Sequence, residues 1–261
     1  MIFEHLALLG RRRSGLRESP SISEVREDVF FVEGPASNWT IVREGNEFIL
    51  IDSGYPADGF RLMESIRALG LQPRRAAAML ITHAHSDHVG SASHFSRFFG
   101  TPILAAPAEL PHLAGEEQHR VTVPQVLASA GRGATLPWLV HAVRAGGLKK
   151  NDVQGRPWDP ELLAALPGGP VAVPTPGHTP GHTSYLLPRA RAIATGDAVV
   201  TGHPTSGRAG VQLLHPMFHH EPELVRTSLS ALAELNATVI LPGHGPTAEG
   251  PLSALLAPLV S

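Results

Sequence analysis

The decapeptide ITHAHSDHVG, residues 81–90, sets His83, His85, Asp87 and His88 directly behind the apolar run AAAMLI of residues 76–81. Such a run reads as a buried strand, and the glycine that closes the decapeptide marks the change towards a helix. Side chains at i and i+2 of an extended chain share a face, so His83 and His85 point the same way. The turn after them brings Asp87 and His88 round. Three imidazoles and a carboxylate are the nitrogen and oxygen donors that divalent cations take. The chain has 15 histidines in 261 residues, too few for this spacing to be an expected accident.

The sequence on either side of this stretch alternates strands with helices. DVFFVEG (28–34), NWTIVREG (38–45) and EFILIDSG (47–54) read as a meander of short strands parted by turn residues. ADGFRLMESIRALG reads as a helix with Phe60, Met63, Ile66 and Leu69 on one face, ending at Gly70. After the decapeptide, VGSASHFSRFFG reads as a helix closed by Gly100, and TPILAAP as a strand. The second half repeats the style with strands in GPVAVPTPGHT, TSYLLP, RAIATGDAVV and ATVILPGHGPT. Its helix, EPELVRTSLSALAELN, carries Leu224, Leu229, Leu232 and Leu235 on one face. Between the halves, over residues 107–168, alternation gives way to short helical pieces broken by Gly and Pro. This span is read as a helical insertion within a single domain of residues 1–261. Its Trp138, Leu139, Val143, Leu148 and Trp158 are either the insertion's own core or a lid over an apolar pocket.

Three further strands end on donors: TPGH at His178, TGD at Asp197 and LPGH at His244. In α/β sheets ligands sit beyond the carboxyl ends of strands, so these residues are expected at one edge. H-x-H-x-D-H followed in order by PGH, GD and GH resembles the metallo-β-lactamase superfamily of metal-dependent hydrolases, over nearly the whole chain. The resemblance implies an α/β (α+β) fold, a four-layer αββα sandwich with a two-metal site along one sheet edge. It implies His83, His85 and His178 as ligands of one metal, Asp87, His88 and His244 of the other, and Asp197 as the bridge. Asp52, closing FILIDSG, matches the family's early aspartate that supports the site from behind its ligands. His182 is expected to pack beside the site and bond backbone.

Two divalent cations outweigh the carboxylates of Asp87 and Asp197, and the surplus positive field lowers the pKa of bound water to about 7. The implied reaction is hydrolysis: a metal-bridging hydroxide attacks the carbonyl of a small ester, lactone or thioester, and Asp87 relays a proton to the leaving group. Ligands without thiolate suit Zn2+ first, with iron or manganese as alternatives. Rival readings are a mononuclear iron oxidoreductase acting on persulfides, a metal-dependent cyclase or dehydratase, and a scaffold without turnover. Some subfamilies fit poorly. One class of β-lactamase needs a cysteine ligand and this chain has no cysteine; another lacks the bridging aspartate. Lactonases carry a tyrosine three residues after that aspartate, where Val200 stands, so a phenol has to come from Tyr55 or Tyr185. Only 17 residues follow His244 (261 − 244), too few for the glutathione-binding domain of glyoxalase II enzymes. Gly90-Ser91 replaces the family's glycine pair, a change expected to need only local adjustment.

A formal net charge of −2 offers no general attraction to nucleic acid, and no apolar run approaches the roughly 20 residues needed to span a bilayer. MIFEHLALLGRRRSG lacks a basic start and keeps its arginines after the apolar part, so a cytoplasmic location is expected and Arg11 to Arg13 read as a solvated segment. The chain has just two lysines, Lys149 and Lys150. The partner expected is a small-molecule substrate, with neither nucleic acid nor membrane; oligomeric state is left open. Weaker expectations for substrate contact fall on Trp138, on His215 and His219 of LLHPMFHHEP, and on Arg208 as a grip for an anionic group.

Overall fold

Tight turns at Glu27–Asp28 and Gly45–Asn46, with Asp28 and Gly45 at φ of 59° and 61°, fold the early strands into an antiparallel meander. The computed structural model describes residues 20–119, 121–128 and 134–260. Among them, β1 (Ser21–Arg26), β2 (Val29–Glu33), β3 (Asn38–Glu44), β4 (Glu47–Ile51), β5 (Ala76–Leu80), β6 (Ile103–Ala105) and β7 (Arg156–Pro157) lie side by side in that order. Pairing is antiparallel up to β4 and parallel from there on. A second sheet holds β8 (Val171–Pro174), β9 (Thr183–Leu187), β10 (Ala192–Gly196), β11 (Val239–Pro242) and β12 (Ala248–Glu249), with β10 and β11 as its parallel pair.

Alternation within the strands sorts the core into layers. In β4, Ile49 and Ile51 face the second sheet and meet Leu187 and Leu241 in one apolar cluster. Phe48 and Leu50 point the other way, into a cluster with Leu62 and Ile66 of α1 (Gly59–Ala68) and Phe95 of α2 (Ala92–Phe99). In β10 and β11, Ala194 and Val239 face inward, while Ile193 and Ile240 pack under two outer helices through Leu229 and Leu256. Apolar faces on both sides of each sheet need helices outside and a sheet-on-sheet core between, which is the αββα sandwich.

The middle segment supplies α3 (Leu110–Leu113), α4 (Val123–Ala128), α5 (Thr135–Arg144) and α6 (Pro160–Ala164), and then α7 (Pro222–Ala233) and α8 (Leu252–Val260) cover the second sheet. Residues 107–168 are not helical throughout: β7 re-enters the first sheet beside β6 in the register Leu104↔Arg156. Two residues, one a proline, carry no alternation that a sequence could display, and an edge position tolerates the proline. The packed stripes are also rotated from those expected. Phe60 is 41% exposed because α1 docks through Leu62 and Ile66, four residues apart, and Phe60 lies about 200° round the helix from Leu62. In α7, Val225 joins Leu229 and Leu232 inside, and Leu224 faces out. No helix among the described residues is long and apolar enough to cross a membrane. The opening apolar stretch and Arg11 to Arg13 lie outside the described residues.

Candidate metal centre

Four strands stop at the same edge. Asp52 follows β4 at a φ of 62°, and its carboxylate accepts from Thr82 N at 2.9 Å and Thr82 Oγ1 at 2.7 Å. The edge is stitched across the two sheets: Thr183 N donates to Thr82 O at 2.9 Å, Tyr185 Oη to Ile81 O at 3.0 Å, and Asn38 Nδ2 to Pro242 O at 3.1 Å. Asp197 and His244 follow β10 and β11, joined by Gly243 N to Gly196 O at 2.9 Å. A Cβ at Gly243 would lie 2.4 Å from Asp197 Oδ1 and 2.7 Å from His88 Cε1, so only glycine lets β11 pass this close. Gly90 is equally constrained, since a Cβ there would meet the Tyr55 carbonyl carbon at 2.1 Å. Ser91 caps the start of α2 without crowding, its amide donating to Ser53 Oγ at 3.2 Å.

Beyond that edge the donors fall into two triads. In the first, His85 Nδ1 lies 3.0 Å from His83 Nε2 and 2.9 Å from His178 Nε2. In the second, Asp87 Oδ2 lies 3.5 Å from His244 Nε2 and 3.9 Å from His88 Nε2. Asp197 stands between them, with Oδ2 at 3.5 Å from His178 Nε2 and 3.3 Å from His244 Nε2, and Oδ1 at 3.4 Å from His88 Nε2. Neighbouring ligands of tetrahedral zinc, bonded at 2.0–2.1 Å, sit about 3.3 Å apart, so both triads have the spacing of a coordination shell. His88 Nε2 and Asp197 Oδ1 are buried with no hydrogen-bond partner among the described residues. Unmatched buried groups of this kind are costly, and a cation between them is the natural remedy. The residues therefore fit divalent cations.

The rings are held from behind so that lone pairs converge. His88 Nδ1 donates to Asp52 Oδ2 at 2.8 Å, and His244 Nδ1 to Ala36 O at 2.6 Å. His83 Nδ1 meets Thr82 Oγ1 at 3.1 Å, whose own proton goes to Asp52, and His85 Nε2 donates to His119 O. Such partners fix tautomer and ring orientation. Burial, then the neighbouring imidazoles, pushes His83 well below its usual pKa; burial does the same to His178, with His85 next, and lowers His85 itself. Burial also opposes charge on His88 and His244. There the carboxylates prevail, with Asp197 first, raising His88 well above and His244 above the ordinary range. Burial would raise Asp197, but His244 and His88 hold it well below.

His182 Nε2 accepts from the Asp197 amide at 3.1 Å, and burial pushes its pKa down to about 4. Over the triads opens a cavity of about 950 Å³, mouth included, walled by Val126, Trp138, Leu139, Val143, Leu214 and Phe218. Of the residues expected to touch substrate, Trp138 lines it. Arg208 and His215 border a separate hollow beyond His203, and His219 faces the outer nitrogen of His178 at 3.1 Å. Tyr55 lines the cavity; Tyr185 is fully buried and bonded to Ile81, away from it. Sequence reading missed Glu109, fully buried, which binds both donor loops: it accepts from Ala84 N at 2.8 Å, Gly181 N at 3.0 Å and Thr179 Oγ1 at 2.8 Å. Burial opposes its charge, but hydrogen bonds from His112, Ala84 and Thr179 outweigh burial and lower its pKa. Also missed was His203, whose ring borders the cavity 5.0 Å from that of His244.

The chain belongs to the metallo-beta-lactamase superfamily, whose family model matches residues 32–244. It is 27% identical over 227 residues to the probable metallo-hydrolase YflN of Bacillus subtilis, covering 84% of this chain and 80% of that one. It is 29% identical over 214 residues to an atrochrysone carboxyl ACP thioesterase of Aspergillus fumigatus, covering 82% of this chain and 52% of the relative. Among solved structures, TTHA1623 in a di-iron-bound form superposes with a TM-score of 0.57 at 26% identity, covering 86% of this chain and 94% of that one.

Proposed function

We propose that the protein is a hydrolase of carbonyl esters, lactones or thioesters that works with two divalent cations, one in each triad, sharing Asp197. One observation carries this reading: two complete donor triads meet across one carboxylate, with unmatched buried donor atoms, at the floor of an apolar-walled cavity. The resemblance to a thioesterase supports the carbonyl class. Bound there, the cations would make water nucleophilic at neutral pH and polarise the carbonyl it attacks.

The chain's own residues supply the rest. His88, anchored by Asp52, and His244, anchored by Ala36 O, hold one side of the site; His83, His85 and His178 hold the other. The Asp87 side chain is 15% exposed and is placed to take the proton of the attacking water and pass it to the leaving group. Tyr55 lines the cavity beside Asp87. Burial, then the charges of Asp87 and Asp197, raises its pKa well above the ordinary phenol value, so it stays a donor. The apolar wall excludes competing water from the carbonyl.

Zinc suits the nitrogen and oxygen donors, and iron remains compatible with them. The test is metal quantitation of purified protein beside a panel of ester, lactone, thioester and phosphoester substrates. Expected are two metal equivalents and turnover of a carbonyl substrate that chelation abolishes and metal restores. Equal turnover by stripped and loaded protein overturns the proposal, as does one iron with oxygen uptake on a persulfide.

A further inference from the structure

The only lysines of the chain are neighbours in sequence, Lys149 and Lys150, and both line the cavity above the donor triads. Among the described arginines, Arg26 pairs with Glu249, Arg43 with Asp28, Arg61 with Asp58, Arg97 with Asp152 and Arg189 with Glu44. Neither lysine forms an ion pair with a described residue. Two adjacent unpaired ammonium groups repel each other, and at a cavity mouth that repulsion is relieved by an anion.

Their backbone is tied to the donor loop. Asn151 Nδ2 donates to Ala84 O at 2.6 Å and to His112 O at 3.2 Å, and Ser86 Oγ donates to Gly147 O at 3.1 Å. Residues on both sides of the lysine pair are thus fastened to the segment that carries His83, His85 and Asp87. The stem of Lys150 crosses Gly115, where a Cβ would come within 3.0 Å of Lys150 Cε. Packing of this kind holds a lysine stem against the wall and leaves its head in water. Among the described residues that line the cavity, Glu117, the acidic side chain outside the donor triads, is already engaged with His119 Nε2 at 3.1 Å. Val126, Leu139 and Val143 of α4 and α5 line the same cavity.

We infer that the cavity selects an amphipathic anion: a carbonyl substrate whose apolar acyl or aryl body lies along α4 and α5 and whose carboxylate or phosphate seats at Lys149 and Lys150. The inference rests on the carbonyl-hydrolase reading for the scissile bond but not for the anion preference, which binding reports without turnover. Arg208, bordering the other hollow, takes no part in it.

The probes are N-phenyl-1-naphthylamine and 8-anilino-1-naphthalenesulfonate, the same rings without and with an anionic group that binds zinc poorly. On metal-loaded protein at low salt, the sulfonate is expected to bind about tenfold more tightly, as two charge contacts at a partly desolvated mouth allow. That preference should shrink towards none at about 0.5 M NaCl. The double variant K149A/K150A removes two exposed side chains. It is expected to keep the affinity for the neutral probe and to bind both alike. Equal binding by the wild type, or a preference that survives in the variant, overturns the inference. A turnover arm separates carboxylate and phosphate: matched hexanoyl thioesters of 3-mercaptopropionate, its amide and a phosphorylated thiol should show the lysines' effect in KM rather than kcat. Should none of these be hydrolysed while the probe preference holds, the hydrolase reading fails and the anion site stands. Should all be hydrolysed with one KM, unchanged in the variant, the anion site fails and the hydrolase reading stands.

Discussion

The triad of His83, His85 and His178 and that of Asp87, His88 and His244 sit side by side, yet their electrostatics run in opposite directions. In the first, burial and crowding among imidazoles strip the protons and leave lone pairs available at neutral pH. In the second, Asp197, Asp52 and Asp87 surround His88, and Asp197 and Asp87 attend His244, so both rings hold protons to higher pH. A cation arriving at the first finds ligands ready, and one arriving at the second has to displace protons. Neighbouring charge, and not ligand identity alone, sets how each half fills.

The strongest way to break this comparison is to remove what the halves share. Asp197→Ala is expected to empty both triads of metal and to lower kcat/KM by about a thousandfold, on the scale of losing a principal charge-stabilising group; elemental analysis beside kinetics checks it. A variant that keeps one full metal equivalent would show the halves to be independent.

Next in size is pH. His83, His85 and His178, with lowered pKa values, bind little proton above the ordinary histidine range, so the first triad's affinity should be flat from there upward. His88 and His244, with raised values, release protons on binding a cation, so the second triad's affinity should climb with pH, by up to about tenfold per pH unit for each proton displaced. Metal titration by calorimetry in buffers of different ionisation enthalpy reads the protons directly. The same shift acts on the metal-free fold. The stabilisation from His88 is complete below its unfolded pKa of about 6.5 and is lost as pH rises through its raised folded value.

Asp52→Asn should weaken the second triad by about 10–100-fold and the first much less, because His88 bonds that carboxylate directly and His83 reaches it only through Thr82. Equal weakening of both would mean that Asp52 acts through the fold and not through His88. The smallest effect is expected from Tyr55→Phe: metal content unchanged, and kcat lower by about fivefold to tenfold through the loss of one phenol donor beside Asp87.

The donors were legible before any fold was in view. H-x-H-x-D-H, PGH, GD and GH each close an apolar run, and the strand edge gathers all seven side chains. Asp52 was legible as a strand-end carboxylate for the same reason, and it lies 2.8 Å from His88 Nδ1. Glu109 was not: a glutamate in a stretch without periodicity reads as a solvated charge, and only the approach of residues 84 and 179–181 buries and satisfies it. Arg208 and His215 were misleading in the opposite way. Arg208 was read as an anion grip and His215 as pocket lining, but both border another hollow, while Lys149 and Lys150 line the cavity over the donors.

By itself the sequence determined the period of each element, the donor at each strand end and, through glycines such as Gly90 and Gly243, where backbones approach closely. Those properties are local: they depend on side-chain type and on φ and ψ over a few residues. Which lone pair faces which, which imidazole keeps its proton, and which cations overlook the cavity were decided only when distant segments packed together. Burial and Coulomb interaction depend on distance in space, and no local pattern encodes that distance.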